Sequence, residues 1–243
     1  MNIGMWNAPD GMAMDIIHVF ADATAPPPEE WLRSEAAKAP ALLVTLEPWQ
    51  WPTDAMLHAW GESLSSMNRT VYIRFMHEAN GTWYPWATAS AGSQFSGWQR
   101  FADSMHQYPG LKTVWSPNVI YDQRRFGNSV ADPRTVDVVA LDGYNWNDPR
   151  YGGWKNPRDL FHESVVAIRQ QYPARPLWLA ETGCAASSGR VRWLRDLMTY
   201  AASAGIGAVI YFNENKEGET WRLQGPTEYR ALFGGHGKGR KKR

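Results

Sequence analysis

The sequence predicts an α/β protein, a single (β/α)8 TIM-type barrel in which the first β/α unit is abbreviated or missing. Seven short apolar runs rich in β-branched and aromatic residues recur along the 243-residue chain, as expected for strands covered on both faces of a sheet. Segments with helix-start signals lie between them, without a break in composition. Because no glycine-rich phosphate-binding loop follows the first run, a closed barrel is favoured over an open doubly wound sheet.

The predicted strands and helices follow from these runs and from the residues between them. The strands lie at 15–20, 41–46, 70–75, 111–115, 136–141, 176–180 and 207–212. Residues 3–6 are the candidate for a first strand, but only about eight residues then precede Asp15, too few for a crossover helix. Predicted helices begin near Pro27, Thr53 and Asn156, where proline, acidic or capping residues open a first turn. We expect residues 1–233 to form the barrel domain and residues 234–243 a disordered basic tail.

Composition argues against several kinds of partner. The net charge is +1, and the last six residues include five basic side chains, so the rest of the chain has no basic excess for binding nucleic acid. Cys184 is the only cysteine, which excludes an intrachain disulfide. No apolar run approaches the roughly 20 residues of a membrane span. The N-terminus shows no signal peptide, and the location stays open between extracellular and phage-associated sites.

Two glutamates are the main candidates for chemistry. Glu78 and Glu181 close the fourth and seventh strands of an eight-strand count, and the C-terminal ends of barrel strands face a common mouth. A protonated carboxyl beside an ionised one, about 5–5.5 Å apart, is the equipment for cleaving a glycosidic bond with retention. Alternation predicts Arg74, Met76 and Glu78 on one side of their strand. Arg74 would then lie beneath the site and keep a neighbouring carboxylate ionised.

Five sequence blocks resemble glycoside hydrolase family 26, the β-mannanase-type (β/α)8 enzymes. The first runs from Arg74 through His77-Glu78-Ala79-Asn80-Gly81-Thr82-Trp83-Tyr84-Pro85-Trp86. The others lie at 115–118, 136–146, 180–183 and 212–222, in the family's order, so that the resemblance covers the chain from about residue 15 to residue 225.

This resemblance implies roles for the residues in the blocks. Glu78 would be the general acid/base and Glu181 the nucleophile, with His77 close to the substrate or the nucleophile. Strict alternation points His77 away from Glu78, so a twist or bulge at the strand end is required; a histidine satisfied in the core is the alternative. Tyr144 ends the sixth strand and is expected to donate its hydroxyl to Glu181, unless it is an ordinary buried tyrosine.

Substrate-binding candidates follow the strand ends. The chain has 14 tryptophans, and flat apolar rings suit sugar stacking, although most tryptophans are expected in the core. The stacking candidates are Trp83, Trp86, Trp115, Trp146 and Trp221. Three polar residues on the same rim either bind sugar hydroxyls or stabilise their own loops: Asn118, Asp142 and Asn145. The histidines are dispersed, and no spacing predicts a metal or another cofactor.

The sequence therefore predicts a retaining endo-β-glycosidase with a polysaccharide or oligosaccharide substrate, for which the family resemblance favours β-1,4-mannan. Mixed-linkage β-glucan, β-1,3-xylan and a bacterial glycan cut by a phage-associated depolymerase stay open. A non-catalytic glycan-binding barrel is the alternative from another class. We expect a monomer, with a partner chain completing the barrel if the first β/α unit is absent.

Overall fold

A computed structural model describes residues 1–9, 11–122, 125–126, 131–216 and 218–234. Its centre is a closed barrel of parallel strands that follow one another in chain order, with β8 paired to β1. The strands are β1 Asn2–Trp6, β2 Ile16–Asp22, β3 Ala41–Glu47, β4 Val71–Phe75, β5 Leu111–Trp115, β6 Val138–Asn145, β7 Leu177–Cys184 and β8 Ala208–Phe212. The predicted barrel fold is confirmed.

Helices pack around the barrel after most of its strands. They are α1 Glu29–Ala36, α2 Asp54–Ser65, α3 Ala91–Met105, α4 Pro157–Gln171, α5 Arg190–Ser203 and α6 Pro226–Phe233. Capping explains two of the starts, because the Thr53 hydroxyl accepts from Met56 N and the Ser90 hydroxyl accepts from Ser93 N. A short hairpin, β9 Asn215–Lys216 with β10 Glu219–Thr220, follows β8. None of the helices in the described ranges is long and apolar enough to cross a membrane.

The first β/α unit keeps its strand and lacks its helix. β1 pairs with β2 on one side and with β8 on the other, so the strands of this one chain close the barrel. The described residues between Trp6 and Ile16 form no helix. Instead the Asp15 carboxylate accepts a hydrogen bond from Ile3 N at 3.0 Å, which ties the short connection to β1. The predicted abbreviation is confirmed, whereas the predicted tail lies outside the described residues from 235 onward.

The barrel interior has an apolar layer below a polar layer. The apolar cluster inside the strands includes Ile16, Leu43, Val114 and Ala140. The residue two positions further along each of these strands points to the same side and is polar. This second layer comprises His18, Thr45, Ser116 and Asp142, all buried. Alternation thus brings polar groups together just below the C-terminal mouth.

Two local departures from alternation set the direction of the candidate glutamates. In β7, the register against β6 shifts so that Leu141 pairs with Leu179 and Asp142 with Glu181. The extra residue, Ala180, moves Glu181 to the interior side. At the end of β4, Met76 has φ of 51° and packs in the outer apolar core. The prediction that Met76 shares the face of Arg74 is therefore wrong, because the left-handed residue ends the alternation there.

Candidate active site

A cavity of about 500 Å³ opens at the C-terminal ends of the barrel strands. Glu78 and Glu181 both line it, together with residues from the loops after β4, β5, β6 and β8. Both carboxylate side chains are nearly covered, with residue exposures of 7% and 6%. The structure thus brings the two predicted carboxylates to one solvent-connected space, as barrel geometry requires of strand ends.

Glu181 is held by charged and hydroxyl donors. Arg74 Nη2 donates to Oε1 in a buried ion pair, and the Tyr144 hydroxyl donates to Oε2 at 2.6 Å. Both groups donate hydrogen bonds to this carboxylate and thereby fix its orientation. The placement predicted from the sequence for Arg74 and Tyr144 is the one observed.

Arg74 is shared between two carboxylates below the cavity. Its Nη1 lies 2.9 Å from both oxygens of Asp142, and its Nε donates to the Thr45 hydroxyl at 2.7 Å. The Ser116 hydroxyl also donates to Asp142 at 2.7 Å. The guanidinium is fully buried, so its orientation is fixed by Thr45, Asp142 and Glu181, which lie on three different strands. A buried charge without such partners would cost several kcal/mol.

Glu78 has a different set of contacts. Asn118 Nδ2 donates to Oε1 at 2.6 Å, and Trp83 Nε1 donates to Oε2 at 2.6 Å. Both donors are neutral. Burial, followed by the nearby charge of Glu181, raises the pKa of Glu78 to about 7, although Asn118, Trp83 and Arg74 oppose the rise. A substantial fraction of Glu78 therefore stays protonated at near-neutral pH, where an ordinary glutamate is almost fully ionised.

The backbone turn after β4 places Glu78 and buries His77. Glu78 has φ of 53°, and its N–H donates to Ser116 O at 2.8 Å, which fixes this strained residue against the end of β5. His77 is 1% exposed and packs against Tyr84 and Trp86. Burial and then the charge of Arg74 keep its pKa well below the ordinary value, so the ring is neutral.

His77 does not line the cavity, and its neighbour is a third carboxylate. Its Nε2 lies 4.0 Å from Glu47 Oε1 at the end of β3. Burial and then the charge of Glu181 raise the pKa of Glu47. The ring packs against Tyr84 and Trp86, so His77 is separated from the cavity, and its expected closeness to the substrate or the nucleophile stays a prediction. The predicted irregularity at the strand end is present.

Four of the predicted substrate-binding residues line the cavity: Trp83, Asn118, Trp146 and Trp221. Trp83 is 47% exposed and is the most accessible of these rings. Trp146 contacts Trp221 edge-to-face, with ring centroids 4.8 Å apart. Such rings offer flat apolar surface to a sugar.

The other four predicted substrate-binding residues lie away from the cavity, and these expectations are corrected. Trp86 is buried and donates to His77 O at 2.7 Å. Trp115 packs against Tyr172 and Phe126 in the outer core. Asp142 is fully buried as the partner of Arg74. Asn145 braces its own loop, accepting from Lys155 N at 2.9 Å and donating to Cys184 Sγ.

Sequence reasoning missed several lining residues. Tyr84 lines the cavity and stacks on Trp86 with ring centroids 4.4 Å apart and an interplanar angle of 9°. It stands inside the first sequence block, so the motif itself gave the signal. The others include six residues from the segments after β5, β6 and β8, which no periodicity identifies: Tyr121, Asp122, Arg150, Tyr151, Lys155 and Lys216.

Comparison with known proteins places the fold. Endoglucanase H of Acetivibrio thermocellus is 25% identical over 250 residues, covering 92% of this chain, which spans 27% of that protein's length. A glycoside hydrolase family 26 β-mannanase from Bacteroides ovatus superimposes with a TM-score of 0.69 at 12% identity, over 98% of this chain and 88% of the other. A family 26 endo-β-1,4-mannanase catalytic domain from Bacillus sp. JAMB-750 gives a TM-score of 0.68 at 12% identity, over 91% and 79%.

These similarities confirm the family 26 resemblance at the level of the fold. No protein-family model matches the chain. The relatives named above are glycoside hydrolases of two kinds, an endoglucanase and mannanases, so they do not single out one polysaccharide. In the described residues, no group of three or more histidine, cysteine, aspartate or glutamate side chains is arranged to hold a metal ion.

Proposed function

We propose that the chain is a retaining endo-β-glycosidase in which Glu78 is the general acid/base and Glu181 the nucleophile. The observation that supports this most strongly is the contrast between two carboxylates on one cavity. Glu78 has neutral donors and a pKa raised to about 7, whereas Glu181 is held by a guanidinium and a tyrosine hydroxyl. A pair whose environments differ in this way matches one acid and one ionised nucleophile.

The reaction follows from these protonation states. Glu181 attacks the anomeric carbon while Glu78 transfers its proton to the leaving glycosidic oxygen, giving a glycosyl-enzyme. Formation of the ester removes the charge of Glu181. Because that charge raises the pKa of Glu78, its loss lowers this pKa. Glu78 then accepts a proton from water, which attacks the ester and restores both carboxyls.

The other residues of the site have supporting roles in this proposal. Arg74 and Tyr144 orient Glu181, and their donors face the same carboxylate that must stay charged before attack. Trp83 and Asn118 orient Glu78. Trp83, Tyr84 and Trp146 offer the sugar rings an aromatic lining, with the buried Trp221 packed behind Trp146.

For the substrate, we propose a polysaccharide with a β-1,4-linked backbone, β-1,4-mannan first. The support is the fold shared with family 26 mannanases and the sequence similarity to an endoglucanase. Mixed-linkage β-glucan, β-1,3-xylan and bacterial envelope glycans are the competing polymers. We propose an endo mode of attack because the similar proteins include an endoglucanase and an endo-β-1,4-mannanase.

The test is release of reducing ends from each of these polymers by the native chain, with Glu181→Gln beside it. Glu62→Gln is the matched control, since Glu62 is an exposed residue of α2. We expect one polymer to be cleaved by the native and control proteins and not by Glu181→Gln. Retention of oligosaccharide by a folded sample without new reducing ends would instead identify a non-catalytic glycan-binding barrel.

A further inference from the structure

The two sides of the cavity differ in charge. One side, formed after β4 and β5, consists of Trp83, Tyr84, Asn118 and Tyr121, with Asp122 at its end. The other side, which we call the cationic wall, contains Arg150, Lys155 and Lys216 from the loops after β6 and β8. All the lysine and arginine residues that line the described cavity lie on this wall. The catalytic proposal gives them no role.

Lys155 is one of the three cations of the cationic wall. It is half-buried and lies over Gly152, where a methyl group in place of a hydrogen would come within 3.1 Å of Nζ. Its backbone N–H donates to Asn145 Oδ1 at 2.9 Å, which anchors the residue to the end of β6. Within the part of the chain that the structure describes, no ion pair involves Lys155, whereas Arg150 is paired with Asp148 at 2.6 Å.

Aromatic rings stand beside these cations. Trp146 and Tyr151 are 4.5 Å apart between ring centroids at an interplanar angle of 35°, and Trp221 meets Trp146 edge-to-face. The Arg150 guanidinium lies 5.7 Å from the centre of the Tyr151 ring. The wall therefore offers apolar faces for a sugar ring and, next to them, an ammonium group for an anion.

A neutral polysaccharide does not use this arrangement well. A sugar that covers Lys155 removes water from its ammonium group. Sugar hydroxyls replace the lost hydrogen bonds to water only with bonds to neutral acceptors. A carboxylate on the sugar accepts a charge-assisted hydrogen bond from this ammonium, which is roughly twice as strong as a neutral one. Glu181, the ionised carboxylate of the catalytic proposal, lies at the floor of the cavity and repels such an anion, so a position on the wall beside Lys155 suits it best.

From these contacts we infer that the natural substrate is an acidic β-glycan, whose uronic acid carboxylate binds Lys155 while its ring lies against Trp146 and Tyr151. This inference rests on the proposed glycosidase function and names the chemical class of its substrate. The backbone is the β-linked chain proposed above, and the carboxylate is its additional recognition feature.

The test compares β-1,4-mannohexaose with the same hexasaccharide oxidised at C6 to mannuronic acid. Binding is measured by calorimetry in the Glu181→Gln background, which prevents turnover, and hydrolysis is measured with the unmodified site. Lys155→Gln removes the charge and Lys155→Arg keeps it. Lys112→Gln is the control, since Lys112 lies on β5 outside the cavity and pairs with Asp137. Circular dichroism checks that each variant is folded.

We expect the oxidised hexasaccharide to bind about tenfold more tightly than the neutral one at low salt, and less so at 1 M salt, where exposed charges are screened. Lys155→Gln should abolish this preference, while Lys155→Arg and Lys112→Gln should keep it. Equal affinity for the two hexasaccharides, or an equal loss on both from Lys155→Gln, overturns the inference.

The two proposals fail in different ways. Cleavage of the neutral chain without any preference for the oxidised one would support the glycosidase proposal and contradict the acidic substrate. If the oxidised chain binds in a Lys155-dependent way and neither chain releases reducing ends, recognition of the carboxylate is supported and the glycosidase proposal is contradicted.

Discussion

Glu78 and Glu181 line the same cavity with similar burial, and they differ in how the chain holds them. Glu181 lies within β7, where a one-residue register shift turns it inward onto Arg74 and Tyr144. Glu78 lies three residues beyond β4, in a left-handed conformation, and accepts hydrogen bonds from the neutral donors Asn118 and Trp83. The same residue type therefore meets a cation at one position and neutral donors at the other.

This contrast shows how the placement of one cation can separate an acid from a nucleophile. A single buried guanidinium is directed to Glu181 and Asp142, and Glu78 stays outside its hydrogen-bond reach. The charge of Glu181 then contributes to the raised pKa of Glu78. The acid depends on the ionised state of its partner, so changes at either residue should alter both.

The largest expected effect is removal of either carboxylate. Glu78→Ala and Glu181→Ala should each lower kcat on polymer by about 10³-fold or more. Azide separates the roles. With an activated aryl β-glycoside, azide should restore Glu78→Ala and give a β-glycosyl azide, because two inversions occur. In Glu181→Ala it should give the α-anomer, because only one does. Identical anomers from the two variants, determined by NMR, contradict the assignment.

The next effect concerns the shared guanidinium. Arg74→Met leaves Asp142 and Glu181 buried without their cation, and we expect a loss of about 3–5 kcal/mol in the free energy of unfolding. Arg74→Lys keeps a charge without the planar fork and should lose less. Urea denaturation measures both. A stability change below about 1 kcal/mol for Arg74→Met would mean that the two carboxylates are not held by this ion pair.

Much of this arrangement is predictable from the sequence, because periodic patterns report it directly. The apolar strand runs, the helix caps at Thr53 and Ser90, and the nine residues between β1 and β2 follow local rules. The position of Arg74 below the mouth also follows from alternation within β4. The pairing of Glu78 with Glu181 across the barrel follows from strand order.

What could not be predicted depends on broken alternation and on long loops. Met76 faces the outer core because of one positive φ, which its sequence does not announce. Asp142 and Asn145 resemble rim residues by position, yet Asp142 pairs with the buried Arg74, and Asn145 accepts a hydrogen bond from Lys155 N in the loop after β6. Trp115 fills space against Tyr172, a residue 57 positions away in sequence. Contacts of that separation follow only from the assembled barrel.

A smaller effect is expected at Tyr144, which contacts Glu181 and not Glu78. Tyr144→Phe removes one donor to the nucleophile and keeps the ring beside Trp221. We expect kcat to fall about 10- to 100-fold with the fold intact. Tyr200→Phe is the matched control, because the buried Tyr200 hydroxyl has no hydrogen-bond partner within the described ranges. Equal kcat values for Tyr144→Phe and Tyr200→Phe would show that the Tyr144 hydroxyl does not contribute to catalysis.

The smallest effect should appear in the pH profile and should affect Glu78 alone. Deprotonation of Glu78 near its raised pKa of about 7 removes the acid, so kcat/KM should fall above that pH. Asn118 and Trp83 donate to the charged form and therefore lower this pKa. Asn118→Ala and Trp83→Phe should each move the upper limb to higher pH, with a less than tenfold change in the maximum rate. The upper limb should be absent in Glu78→Gln. A limb that persists in Glu78→Gln, or that moves to lower pH in Asn118→Ala, would show that another group titrates there.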